Sequence, residues 1–483
     1  MAVVTSSGGS AISKSMKPIR IGLQPFTSPF VGSEIMDKRE FLKSSGVLLT
    51  GTVLSRFASA EPQTGPRTNW SGNYTYSTER LYTPQSVQEL QRLIKQSGKV
   101  KALGMGHSFN RIADSSHEQI SLQHLDSMEL DAAARTVTVG GGVTYDQLAP
   151  YLQKNGYALH NLASLTEITV AGACATATHG SGNKNGNLAT AVAGMEAVTA
   201  DGNLLHLSRA KDGDRFAGAV VHLGAVGVVA SLTLNVEPTY DMTQVVYENL
   251  PISQLENNLE AIFASGYSVS LFTDWQKHRI DQVWIKRRVE AGKAAPMPPE
   301  FYGATRATRK LHPITGHDAE STTEQMGVPG PWFERLPHFR IGFTPSSGHE
   351  LQTEYFVPHE QGYPAILAVE KLRDEITPLL FVTELRRIDA DDFWLSPCYR
   401  QPSMTIHFTW KPEWPAVKQV LPKIEAALAP FNARPHWAKM FTMAPSHIDS
   451  LYAKMPDYRT LMAQHDPDGK FRNKFLNRNV FGA

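Results

Sequence analysis

The sequence has little cysteine and no excess of charge of either sign. Its 483 residues include only two cysteines, Cys174 and Cys398, and no Cys-x-x-Cys pair. This excludes a disulfide-stapled scaffold and a cysteine zinc site, although one long-range bridge is left open. The 47 Lys and Arg residues are balanced by 46 Asp and Glu residues. Without a basic field, we expect neither nucleic acid nor an anionic membrane as a partner.

Long hydrophobic runs are also lacking. A membrane-spanning helix needs about 20 apolar residues, and the apolar run at 47–54 is far shorter; we therefore expect no transmembrane segment. The hydrophobic content of 41% excludes a disordered chain. At about 100–200 residues per domain, the length allows two or three folded units. We expect them to form a monomer.

The amino-terminal region has the composition of a targeting segment. Residues 1–35 are rich in Ser, Gly, Lys and Pro without an apolar period, so we predict no packed structure there. Residues 36–60 have a charged start, an apolar middle and an Ala58-Ser59-Ala60 close, as in a signal peptide. They resemble a twin-arginine signal in which Lys38 replaces the first arginine, with translation starting at Met36. We expect export to the periplasm or the exterior; the alternative is a retained tail on a cytoplasmic protein.

Helix and strand patterns alternate in the first half of the folded region. Ser86 and Glu89 form a capping box that predicts a helix to residue 96. Apolar alternation predicts strands at 99–103, 136–139 and 226–236. This interleaving indicates an α+β or α/β fold.

After Pro238 the pattern changes to longer strands, which indicates a second domain with an antiparallel sheet. Predicted helices at 253–264 and 365–376 separate some of these strands. The Pro- and Gly-rich stretch at 290–336, with rigid and aromatic residues at 326–332, predicts an ordered loop that covers a site. The predicted strands are 268–273, 282–286, 351–357, 382–388 and 404–410.

Two glycine-rich loops are candidates for cofactor binding. Gly104-Met105-Gly106-His107 follows a strand, where glycines let backbone N–H groups approach a phosphate. It is not a G-x-G-x-x-G dinucleotide motif. Nearly all side chains at 172–182 are small, which suits either a backbone wrapped against a flat ligand or tight self-packing.

Four motifs together resemble the alditol oxidases of the vanillyl-alcohol-oxidase-type family of FAD-linked oxidases, and the resemblance runs from Asn69 to Asn473. The motifs are GMGHSFN at 104–110, THGSG at 178–182, SLFTDW at 270–275 and GVPGPW at 327–332. The resemblance implies a two-domain α+β fold of the PCMH type. Its expected parts are an FAD-binding domain at 61–240, an antiparallel substrate (cap) domain at 241–446 and a segment at 447–483 that returns to the FAD domain.

The resemblance also implies FAD as cofactor, bonded through its 8-methyl group to His107. A neutral imidazole is a competent nucleophile near pH 7. Two departures, Met105 and Ala177, add bulk where relatives have small residues. The implied cofactor contacts are Gly104, Met105, Gly106, His107, Ser108, Ser164, Thr169, Gly172, Thr176, Thr178, His179 and Val229.

Polar side chains share one face of two predicted strands. Glu384 and Arg386 point the same way because alternate residues of a strand do so, as do Thr405, His407 and Thr409. From pattern alone this face is either an outer, solvated face or a binding surface. The resemblance assigns the substrate site to Ser164, Glu384, Arg386, His407, Thr409 and Lys439.

The implied reaction is oxidation of a terminal CH–OH of a polyol, with transfer of electrons from the flavin to oxygen and release of hydrogen peroxide. Arg386 and Lys439 would hold the reacting oxygen, Glu384 would bind the polyol, and either Lys439 or His407 would be the base. One alternative is an aldonolactone oxidase or dehydrogenase, and another is a carbohydrate-binding protein with an inert flavin domain. A metal-dependent hydrolase ranks last because the glycine loops carry no H-x-x-x-H pair, and we predict no metal.

Overall fold

The computed structural model describes residues 64–290 and 296–482. The predictions for 1–35 and 36–60 lie outside the described residues and stay predictions. Within the described residues the chain is α+β, as predicted. No helix in the described part combines the length and apolar character that a membrane crossing requires.

The first half of the described chain interleaves short strands with helices. Its strands are β1 (Leu81–Tyr82), β2 (Val100–Ala102), β3 (Glu118–Ile120), β4 (Met128–Asp131), β5 (Thr136–Gly140), β6 (Tyr157–Ala158), β7 (Val192–Val198), β8 (Leu204–Ser208), β9 (Val228–Asn235) and β10 (Glu237–Pro238). Its helices are α1 (Val87–Gln96), α2 (Tyr145–Lys154), α3 (Val170–Ala175) and α4 (Arg209–Val220). Strands β4, β5, β9, β7 and β8 form an antiparallel sheet in that order.

Ser86 caps the start of α1 as predicted, while the Glu89 carboxylate accepts from the backbone N–H of Gln85 at 2.8 Å. Ser86 Oγ accepts a hydrogen bond from the backbone N–H of Glu89 at 3.2 Å, which satisfies one of the free donors at the helix start. The apolar face carries Leu90, Leu93 and Ile94, and all three are buried. The predicted helix is thus confirmed at both ends, Val87 and Gln96.

The second half is dominated by one large antiparallel sheet. Its strands are β11 (Asp241–Pro251), β12 (Ser268–Thr273), β13 (Arg279–Arg288), β14 (Glu300–Phe301), β15 (Ala304–Arg306), β16 (Gly330–Pro331), β17 (Leu351–Pro358), β18 (Leu380–Ile388), β19 (Ser403–Trp410) and β20 (Arg434–Pro435). The main strand order is β14-β15-β11-β13-β12-β18-β19-β17-β20, and β16 pairs with β11. The helices are α5 (Leu255–Ala264), α6 (Gly362–Glu370), α7 (Arg373–Ile376), α8 (Trp414–Leu428), α9 (Pro445–Leu451), α10 (Met455–His465) and α11 (Lys474–Leu476).

The carboxyl-terminal segment lies against the first strands of the chain. The backbone N–H of Val100 donates to the carbonyl of Lys470 at 3.0 Å. The buried Lys101 ammonium donates to the carbonyls of Leu223, Gly224 and Phe471 at 2.9–3.2 Å. Three acceptors satisfy all three N–H groups of a lysine, so this side chain ties three distant segments together.

The GVPGPW segment does not cover the candidate site, contrary to expectation. Gly330 and Pro331 pair with Met242 and Asp241 at the edge of the large sheet, and Trp332 is fully buried. Its rigid and aromatic residues therefore serve packing on β11. Within the Pro- and Gly-rich stretch, Pro313 does line the candidate cavity.

Candidate active site

One cavity is lined by the glycine loops on one side and by the large sheet on the other. Its sheet side is formed by alternate residues of β17, β18 and β19, as period-two geometry requires. Every site residue expected from the sequence lines this cavity: Gly104, Met105, Gly106, His107, Ser108, Ser164, Thr169, Gly172, Thr176, Thr178, His179, Val229, Glu384, Arg386, His407, Thr409 and Lys439.

The glycines of the loop side permit close approach of the backbone. A Cβ atom on Gly104 or on Gly172 would lie 2.6 or 2.7 Å from Thr169 Oγ1, closer than real Cβ contacts allow. Thr169 in turn accepts a hydrogen bond from the backbone N–H of Gly172 at 3.3 Å and caps α3. The three residues therefore form a tightly fitted corner of the cavity wall.

The small-residue segment packs on itself at one position and lines the cavity at others; the explanation that its backbone wraps against a flat ligand stays a prediction. A Cβ on Gly180 would lie 2.4 Å from the carbonyl oxygen of Leu162, so this glycine is required for self-packing. Thr176 and Thr178 line the cavity, and their hydroxyls lie 3.2 Å apart. Ala177, between them, has a left-handed φ of 54°, a conformation that favours glycine.

The loop side fits an FAD cofactor chemically. Among the described residues, the carboxylates that line the cavity are Glu350, Glu354 and Glu384, and all three belong to the sheet side. The loop side thus offers glycine backbone and hydroxyl groups to a pyrophosphate without an opposing negative charge. Met105 is 54% exposed, and its apolar side chain lines this side of the cavity.

His107 is held as a neutral ring. Its imidazole stacks on Trp70 with ring centroids 4.7 Å apart. Burial lowers the pKa of His107 to about 4, although a hydrogen bond with the backbone of Glu167 raises it. A neutral imidazole keeps the nitrogen lone pair that a covalent bond to a flavin needs.

The sheet side collects charged groups that are almost fully buried. Glu384 and His407 are paired directly across β18 and β19, and Glu354 and His407 across β17 and β19. Glu384 and Arg386 are each 4% exposed and His407 is 8% exposed. The alternative of a solvated outer face is therefore wrong: this face is the wall of a cavity.

Glu354 is the centre of the cluster, and the sequence reasoning missed it. Its carboxylate accepts from Lys439 Nζ at 2.7 Å and from an Arg386 guanidinium nitrogen at 2.8 Å, and His179 Nε2 lies 3.3 Å away. Burial alone would raise the pKa of Glu354, but Lys439, His179 and Arg386 hold it well below its usual range. Glu354 thus stays ionised.

Glu384 is fixed by a second set of partners. Its Oε1 atom lies 2.8 Å from His338 Nε2, and its Oε2 atom lies 3.5 Å from Arg386. Lys286 Nζ donates to His338 Nδ1 at 3.1 Å, so Nδ1 is the acceptor and Nε2 carries the proton that is donated to Glu384. His338 lies in an irregular segment and was not expected from the sequence.

Ser164 connects the loop side to the sheet side. Its hydroxyl accepts from Arg386 at 3.4 Å. Its carbonyl oxygen accepts from the backbone N–H groups of His338 and Phe339 at 3.0 and 3.3 Å. A single residue therefore positions both the guanidinium and the segment that carries His338.

His179, Glu354 and His436 place three metal-ligand atoms within 4.8 Å of one another. However, Lys439 and Arg386 already bind the carboxylate oxygens of Glu354. Their two positive charges would repel a metal cation at the same place. His436 Nδ1 also accepts from the backbone N–H of Ala438 at 3.1 Å, so its other nitrogen carries a proton when the ring is neutral. The donor set does not fit a cation.

The regions of the chain that form the two sides of the cavity both match known protein families. Residues 78–208 match the family model of an FAD binding domain, and residues 348–479 match that of D-arabinono-1,4-lactone oxidase. An alditol oxidase from Streptomyces sp. (strain IKD472 / FERM P-14339) is 44% identical over 85% of this chain and 97% of its own length. An L-gulonolactone oxidase from Mus musculus is 26% identical over 85% of this chain and 97% of its own length.

Solved structures show the same fold. A cholesterol oxidase from B. sterolicum superposes with a TM-score of 0.71 at 14% identity, over 90% of this chain and 100% of its own.

Proposed function

Because the chain belongs to the alditol oxidase family of FAD-linked oxidases, we propose that it oxidises the terminal CH–OH of an alditol to an aldehyde, with FAD as the electron acceptor. Dioxygen would be the final electron acceptor and would be reduced to hydrogen peroxide. Xylitol and sorbitol represent the substrate class.

The observation that carries this proposal is the buried set of hydrogen-bonding groups on the sheet side. A polyol presents a row of hydroxyls, each of which donates and accepts. Glu384 offers acceptors, Arg386 offers donors, and Ser164 and Thr409 offer both. A cavity of this kind rejects a ligand that leaves its groups unpaired, at about 1–3 kcal/mol for each one.

Bound FAD supplies the acceptor for the hydride and the route of the electrons to oxygen. The loop-side residues Gly104, Gly106, Ser108, Thr169 and Gly172 would hold the cofactor, with His107 as the covalent attachment point. The Trp70 stack and the low pKa of His107 support this role, because they orient the ring and keep a lone pair available.

Lys439 and Arg386 would hold the reacting hydroxyl oxygen and stabilise the negative charge that develops on it. Burial lowers the pKa of Lys439, while Glu354 raises it. The proton acceptor is either Lys439 or His407.

A second candidate is oxidation of an aldonolactone. The match of residues 348–479 to the D-arabinono-1,4-lactone oxidase model favours it, because that region contains Glu384, Arg386, His407 and Lys439. The two candidates share the cofactor and differ in the donor.

Anaerobic reduction of the bound flavin separates them. Purified holoenzyme is mixed without oxygen with xylitol or sorbitol, or with a galactono- or gulonolactone, and the flavin absorbance is followed. We expect bleaching by the polyols and little by the lactones; fast bleaching by lactones alone would overturn the proposal.

Acid precipitation tests the covalent attachment at His107. It should leave the flavin with the wild-type protein and release it from His107→Ala.

A further inference from the structure

A chain of three side chains leads from the sheet wall to His407. Gln352 Oε1 lies 3.1 Å from His407 Nε2. The amide nitrogen of Gln352 donates to Glu350 Oε1 at 2.6 Å. Glu350 is itself held by the backbone N–H of Ser347 at 2.8 Å, and it is 1% exposed.

Glu350 determines which way the Gln352 amide faces. Burial raises the pKa of Glu350, while hydrogen bonds from Ser347 and Gln352 lower it. Above that pKa Glu350 is a carboxylate that only accepts hydrogen bonds, so the NH₂ group of Gln352 must point toward it. The amide oxygen is then the atom that faces His407. Since an amide oxygen also only accepts, the proton of the neutral imidazole lies on Nε2 and the lone pair lies on Nδ1.

Nδ1 of His407 is a buried nitrogen without a hydrogen-bond partner. The closest carboxylate oxygen, Glu384 Oε2, lies 3.8 Å away, beyond hydrogen-bond distance. The side chain lines the cavity on its sheet side. A buried acceptor that the protein leaves unpaired is costly, and a substrate hydroxyl would satisfy it.

The charges around His407 keep the ring neutral before reaction. Burial lowers its pKa well below the usual range, and Lys439 and Arg386 lower it further, while Glu354 and Glu384 oppose them. A neutral ring keeps one nitrogen lone pair that can accept a proton, and the fixed tautomer decides which nitrogen carries it.

We propose that Glu350 and Gln352 are positioning residues that fix the tautomer of His407, so that Nδ1 accepts the hydroxyl proton of the substrate. The inference rests on the proposed function. In this step the O–H bond breaks and the proton passes to Nδ1, while the adjacent C–H bond breaks and its hydrogen leaves as hydride to FAD. The alcohol thus loses two electrons and two hydrogens and becomes the carbonyl, and His407 becomes an imidazolium with both nitrogens protonated.

The tautomer can be read directly in the holoenzyme. Labelling with ¹⁵N-histidine distinguishes a protonated from an unprotonated ring nitrogen by its chemical shift, and His407→Asn identifies the signal. We expect the proton on Nε2 in the wild type. In Glu350→Ala the Gln352 amide is free to turn and donate to Nε2, so the proton should move to Nδ1. Glu350→Gln offers an amide oxygen to Gln352 and should restore the wild-type tautomer.

The rate of flavin reduction by xylitol is the second readout. We expect Glu350→Ala to lower it about 10²-fold, within the range of general-base contributions, with a much smaller change in KM. Gln352→Met, which removes the acceptor of His407 Nε2, tests the same step if Glu350→Ala does not fold. Glu375→Ala, at an exposed carboxylate, is the matched control and should change neither readout.

Failure of this inference can be distinguished from failure of the proposed function. A wild-type signal with the proton on Nδ1, or an unchanged tautomer and rate in both Glu350→Ala and Gln352→Met, overturns the inference while polyol oxidation stands. If no polyol reduces the flavin of the wild type, the proposed function fails and the inference falls with it, whatever tautomer His407 has.

Discussion

Glu354 shows how a single buried residue organises the candidate site. Its carboxylate joins Lys439 and Arg386, the two cations proposed to hold the reacting oxygen. None of the three side chains is more than 13% exposed. Without the carboxylate, two positive charges would share a cavity with little water to screen them.

Replacing Glu354 by glutamine should therefore destabilise the protein as well as impair the site. We expect the free energy of unfolding to fall by about 3–5 kcal/mol, the usual cost of leaving a buried charge unpaired. Denaturant unfolding measures it. The control is Glu375→Gln, whose partner Lys423 is 55% exposed, and we expect a loss below about 1 kcal/mol. Equal small losses in both variants would show that Glu354 does not balance the two cations.

For single residues, strand periodicity predicts which polar side chains of the site share a face. Counting alternate residues places Glu384 with Arg386, and His407 with Thr409, on one face of their strands, and the resemblance assigns them to the site. The same count along β17 places Glu354 on such a face. His338 has no such signal, because it lies outside any strand. Only its tertiary contact with Glu384 reveals it.

The order of the strands in the large sheet brings the charged side chains of the candidate site together. β19 lies between β17 and β18, so His407 has Glu354 on one side and Glu384 on the other. The sequence predicts each of the three strands. It does not predict their order, which depends on long-range pairing.

Two elements differ from the sequence-based expectation for identifiable reasons. Strand β11 was not predicted because residues 242–247 are buried on both faces, which removes the alternating pattern that marks a strand. The helix predicted at 365–376 is two helices, because Leu372, with φ −96° and ψ 7°, interrupts it. The prediction had no Gly or Pro at this position to mark the break.

The whole molecule buries several histidines in neutral form, which makes its stability sensitive to acid. Burial lowers the pKa of His222 to about 3 and that of His338 to about 4. In the unfolded chain both bind a proton near pH 6.5. Between pH 6.5 and 4 the unfolded state therefore holds more protons, and the stability that is present above pH 6.5 is lost as the pH falls.

His222→Asn tests this dependence. Asparagine can still accept from the backbone N–H of Gly224, as His222 Nδ1 does at 2.9 Å, but it does not titrate. From denaturant unfolding at pH 6 to 4.5, we expect the loss of stability per pH unit to be smaller in the variant by about 1.4 kcal/mol, the value of one proton. His124→Asn, at an exposed histidine, should have nearly the wild-type slope. An unchanged slope in His222→Asn would mean that the folded protein binds this proton.

At the largest scale, the sequence pattern limits the class to α+β or α/β and reveals the two glycine loops. The family resemblance supplies the choice of α+β, the cofactor and the set of expected site residues. What the sequence could not supply is the burial of the polar strand face, since the same period-two pattern suits an outer surface. The polar face is buried where Ser164 and His179 of the loop side contact Arg386 and Glu354 of the sheet side. The site therefore depends on contacts between distant parts of the folded chain, which the sequence pattern does not reveal.

The most direct test of polyol oxidation by this protein is hydrogen peroxide release under air, measured as kcat/KM for xylitol and sorbitol and for galactono- and gulonolactones. We expect one peroxide per polyol oxidised and a kcat/KM for the polyols that exceeds that for the lactones. Preferential turnover of the lactones would contradict it.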